Sequence, residues 1–143
     1  MTIVWGIVVL ALALLAWAGQ TLAWLAPPTA ERLSLTDAEA DVDPAFYADV
    51  RGEARWDAFS LWTLVVAGVL LIVDSPAWPY FGLVGGGMFL YFAGRGISTR
   101  VAAMRRGIRI GTPSDVRIAF VALSLWGLTA AITIVASVPE LQG

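Results

Sequence analysis

Residues 3–26 run for 24 positions without a charged side chain, and residues 118–139 do so for 22. A hydrocarbon core of roughly 30 Å takes about 20 helical residues to cross, at about 1.5 Å of rise each. Two such runs in one short chain call for a membrane, and in lipid a continuous apolar run satisfies its own backbone only as a helix. The low charge agrees: 14% of residues are Asp, Glu, Lys or Arg, where soluble domains carry about a quarter.

Arginine gives the spans a direction. Between Arg95 and Arg117 lie six of the nine basic residues, opposed only by Asp115, for a local charge of +5. Short loops rich in Lys and Arg stay on the cytoplasmic side, so this segment is expected there and the other spans take their sense from it.

The first span is predicted over about 3–26, with Trp5 and Trp24 at headgroup depths and Pro27-Pro28 as its stop. Ala16-Trp17-Ala18 also has the form of a cleavage site, which makes a signal peptide the competing reading, but no positively charged n-region precedes it. Residues 29–57 hold eight acids and three arginines, a local charge of −5. Within them Thr36-x-x-Glu39 reads as a capping box and Asp43-Pro44 as an N-cap and first-turn pair. Phe46, Val50, Ala54, Asp57, Leu61 and Leu64 then recur at helical spacing and carry a helix into the second span, with Gly52 as its expected weak point.

The second span, 57–74, has only 16 uncharged residues between Asp57 and Asp74, about 24 Å of helix. Slight bilayer thinning accommodates that, and a re-entrant segment is the alternative. Turn chemistry in Asp74-Ser75-Pro76-Ala77-Trp78-Pro79 makes a hairpin to the third span, 79–97, whose helix extends to about 106. After a turn at Gly107–Pro113, Ser114 is the expected N-cap of the fourth span, 114–138. The predicted fold is an all-α, four-transmembrane-helix bundle forming one membrane domain over 1–143. Its acidic helical segment, 29–57, is cytoplasmic like 95–117, both termini are outside, and the membrane is the inner (plasma) membrane. The −5 and +5 segments then share a side and can pair.

Cys, His and Lys are all absent, which removes disulfides, thiolate and imidazole metal ligands, His proton transfer and Schiff-base chemistry. No cofactor, metal site, catalytic residue or nucleic-acid partner is expected. Arg95, inside the third span's aromatic end, is the leading ligand or gate candidate, paired with Glu53 or Asp57; the plainer reading is an arginine snorkelling to the headgroups. Arg100, Arg105, Arg106 and Arg109 are candidates for anionic lipid, their irregular spacing arguing against a voltage sensor. Gly82, Gly85, Gly86 and Gly87 are candidates for close helix packing or a hinge, and Trp17, Trp62 and Trp126 for deep indoles.

Four spans with few ionisable groups can pack and recruit but offer little chemistry, which points to an accessory, assembly or structural subunit of a membrane complex. The alternatives are a homo-oligomeric channel or small transporter with Arg95 near its cytoplasmic mouth, and a membrane enzyme acting on lipid. The implied partners are membrane lipid and either further copies or other membrane subunits.

Overall fold

The computed structural model describes residues 2–142; of the domain expected over 1–143, Met1 and Gly143 lie outside the described residues. Six α-helices follow in order: α1 (Thr2–Leu25), α2 (Pro27–Arg32), α3 (Pro44–Ser60), α4 (Trp62–Ile72), α5 (Trp78–Arg105) and α6 (Pro113–Glu140), with a 3-10 turn at Glu39–Asp41. Among the described residues there is no strand, only an isolated bridge between Val42 and Ile110. Three helical stretches, Ile3–Leu25, Pro44–Ile72 and Pro113–Glu140, are long and apolar enough to cross a membrane. The chain is an all-helical bundle with the make-up of a membrane protein.

The helices pack as an open series. α1 lies along α4, α4 along α5 and α5 along α6, while α1 and α6 scarcely meet. Two indoles tie the series together, Trp17 Nε1 donating to Ala58 O and Trp126 Nε1 donating to Leu12 O, both at 2.9 Å. An indole N–H facing a carbonyl across an apolar contact removes a polar group that would otherwise be stranded. Trp62 instead stays exposed, its ring 6.5 Å from that of Phe81.

Helices this close need residues without side chains at the crossings. A Cβ at Gly68 would lie 2.7 Å from Leu10 N, and one at Gly85 would lie 2.5 Å from Leu64 N. Gly82 meets the Ser137 hydroxyl and Gly86 meets Ile134, so both serve the α5–α6 contact. Buried Thr133 and Ser137 donate to Thr129 O and Thr133 O on their own helix, at 2.8 and 2.7 Å. Those hydroxyls therefore add no hydrogen bond between helices.

Local structure departs from expectation at four points. Helix runs unbroken through Gly52, and the interruption falls at Leu61, which keeps helical dihedrals (φ −74°, ψ −15°) and donates to Asp57 O. α3 and α4 are thus almost one rod, its buried edge formed by Phe46, Ala54, Asp57, Leu61 and Leu64 with half-buried Val50. Pro27 both ends α1 and starts α2, since a proline is tolerated where a helix has no N–H to satisfy. Thr36 makes no capping box: the turn at Glu39–Asp41 has Ala38 at its N-cap and no side-chain cap. Thr112, not Ser114, caps α6 by accepting from Asp115 N, because Pro113 takes the first helical position. Asp43 does cap α3, accepting from Ala45 N at 2.9 Å.

Candidate functional site

α3 presents Asp49, Glu53 and Asp57 at intervals of four, which stacks three carboxylates on one side of the helix. Arg95 reaches them from α5. Its Nη2 donates to Asp49 Oδ1 at 2.9 Å, and its Nη1 forms an ion pair with Glu53 Oε2 at 2.5 Å. The Glu53 side chain is 13% exposed and that of Asp49 is 42% exposed, so the Glu53 pair is the less screened of the two. Asp57 lies deeper, 2% exposed, with Oδ2 lacking any hydrogen-bond partner. It makes no ion pair with Arg95. A recess of about 340 Å³ opens over the cluster, walled by Trp56, Tyr91, Gly52 and Ala48.

Sequence reasoning brought Arg95 and Glu53 together but missed Asp49. The i, i+4 spacing of Asp49 and Glu53 carries the signal, since both can bond one guanidinium only from the same helix face. Three carboxylates around one guanidinium leave the site net acidic. Its chemistry is that of a charged lock between helices, and an unpaired buried carboxylate such as Asp57 is costly without a partner.

A second contact lies one turn on. Arg100 Nη2 is 3.5 Å from Asp37 Oδ2, Nη1 donates to Gly96 O at 3.3 Å, and the guanidinium lies 5.5 Å from the Phe46 ring centre. Arg109 donates to Val42 O at 3.2 Å, while Asp43 N donates to Arg109 O at 2.7 Å beside the Val42–Ile110 bridge. Two of the four arginines expected to meet lipid are thus held by the protein. Arg105 and Arg106 are exposed at the end of α5. All three ion pairs among the described residues join the segment 29–57 to the segment 95–117.

The glycines of α5 divide. Gly82, Gly85 and Gly86 are buried at helix contacts, whereas Gly87 and Gly94 face outward with nothing within 4 Å of a Cβ. No family model, curated protein or solved structure matches the chain.

Asp37 gives this end a pH dependence. Burial raises its pKa above the ordinary 3.8, Asp115 and Asp41 push the same way, and Arg100 opposes them. The folded protein therefore holds this proton more tightly than the unfolded chain does. The stability it contributes is complete below pH 3.8 and is lost as pH rises through the raised value. Melting curves in detergent from about pH 4 to 7 are expected to show stability falling, and the fall is expected to be shallower in Asp37→Asn. Identical slopes would remove Asp37 as a source.

Proposed function

We propose that the chain crosses the inner (plasma) membrane four times and serves as an accessory or assembly subunit of a membrane complex. One observation carries this reading: all three ion pairs among the described residues gather at one end of the bundle, while the helix crossings beyond them are closed by glycine against backbone at Gly68 and Gly85. Tight glycine crossings below an end tied by ion pairs suit a part that docks and orients other subunits. α5 falls outside the three apolar stretches, yet it packs between α4 and α6, which supports it as the fourth span. In that topology segments 29–57 and 95–117 face the cytoplasm and both termini face outward.

A cysteine placed at Ser98 is expected to react with an impermeant reagent only from the inside, and one at Ser75 only from the outside. Labelling of Ser98→Cys from outside would reverse the orientation. The role itself is tested by the mass of the gently solubilised native particle together with identification of what copurifies. Stable association with other membrane subunits supports the accessory reading.

A homo-oligomer without other partners supports the channel or transporter reading instead. That second reading has its own observation: the Arg95 recess opens on the outside of the bundle, beside exposed Trp56 and Tyr91 and outward-facing Gly87 and Gly94. An identical subunit could close it there.

A further inference from the structure

We propose that the cleft between α1 and α6 holds a membrane amphiphile, its chain lying along α6 and its headgroup bearing an amine or quaternary ammonium. The cleft encloses about 450 Å³, within the usual range of about 300–1,000 Å³ for ligand sites. It exists because α1 and α6 scarcely touch. It depends on neither the accessory role nor the orientation proposed above.

The shape selects a chain. Its inner end is walled by Ala16, Phe92, Ala122, Leu123 and Trp126, all apolar except for the indole N–H already bonded to Leu12 O. Leu15 on α1 and Ile118 on α6 stand on its rim and are 53% and 60% exposed, so in a bilayer the opening faces lipid. An apolar space open to hydrocarbon does not stay empty, because its lining atoms lack contacts that a chain supplies. From Asp115 to Trp126 is about 16 Å along the helix, close to half of the roughly 30 Å hydrocarbon core. The cleft therefore reaches one leaflet deep.

The charges select a cation. Glu31, Asp37, Asp41, Glu53 and Asp115 line the mouth, and Arg100 is the single basic residue among the lining. Arg100 is already engaged by Asp37, Gly96 O and the Phe46 ring. Glu53 is paired from behind by Arg95, Glu31 accepts from the Tyr47 hydroxyl at 3.1 Å, and Asp115 accepts from Thr112 Oγ1. Asp41 forms no ion pair among the described residues. An anionic headgroup would meet five carboxylates, whereas a cation would relieve the like-charge crowding that also raises the Asp37 pKa. Glu53 lines both this cleft and the Arg95 recess, so a headgroup here competes with Arg95 for the same carboxylate.

The test uses the full-length protein in an uncharged maltoside detergent, with binding read by native mass spectrometry and thermal shift. Three probes are compared: tetradecyltrimethylammonium, tetradecyl sulfate and tetramethylammonium. The cationic chain is expected to bind at one site about tenfold or more tighter than either other probe, about 1.4 kcal/mol or more. Ala122→Phe, which fills the inner end, is expected to lower that affinity about tenfold or more, and Asp41→Asn severalfold. Equal or tighter binding of the sulfate overturns the choice of headgroup. Equal binding of tetramethylammonium overturns the chain and leaves a site for a small cation. Unchanged affinity in Ala122→Phe overturns the location. If that variant does not fold, Asp41→Asn, in the loop before α3, decides: unchanged affinity there refutes the proposal.

Discussion

Gly85→Ala is expected to destabilise the bundle by about 2–3 kcal/mol or more, the upper part of the range for overpacking. A single methyl is enough because the atoms it meets are the Leu64 backbone N and Cα, at 2.5 and 2.6 Å. A side chain can swing away, but a backbone moves only if α4 and α5 separate. Gly87→Ala is the matched control, two residues away on the same helix with nothing within 4 Å. There the methyl adds only helix propensity, worth up to about 1 kcal/mol in the stabilising direction. Thermal unfolding in detergent compares the two, and equal melting temperatures would mean that α4 and α5 do not cross at Gly85.

Arg95→Gln is expected to have the next largest effect, a loss of about 2 kcal/mol. That lies below the roughly 3–5 kcal/mol for breaking a fully buried pair, because the guanidinium is 28% exposed and Asp49 more so. Most of the loss comes from leaving Glu53 and Asp57 facing each other without a cation, not from the missing contacts themselves. Adding Glu53→Gln to Arg95→Gln is therefore expected to recover part of it. Strictly additive losses in the double-mutant cycle would show that the two side chains are not coupled.

The parts of this architecture that were legible in the sequence are those where nothing competes with burial. Residues 3–26 and 118–139 contain no charge, and α1 and α6 occupy them. The stripe from Phe46 to Leu64 was legible because its period is set by which side faces the bundle, and Asp57 keeps its place in it despite its charge. Local termini were harder. Pro27-Pro28 is a stop and a start at once, and Thr112, Ser114 and Thr36 all carry hydroxyls able to cap, so only the position of Pro113 and the tertiary course of the loop choose among them. Asp49 is one of eight acids in residues 29–57, and its partner is apparent only where α5 brings Arg95 alongside it. The Val42–Ile110 bridge and the cleft between α1 and α6 depend on segments far apart in the chain, and no local spacing encodes either.

The open series of helices has a mechanical consequence. α1 with α4 makes one leaf and α5 with α6 the other, and the glycine crossing at Gly85 is the spine along which the leaves are bound. A small rotation about that spine leaves both tight pairings intact and falls on the fore-edge, where Trp126 and Leu12 are the clasp, and on the ion pairs that tie Arg95 and Arg100 to residues 29–57. The width of the fore-edge is therefore governed from the far side of the molecule, and a partner pressing on the exposed faces of α4 and α5 could open or shut it without touching it.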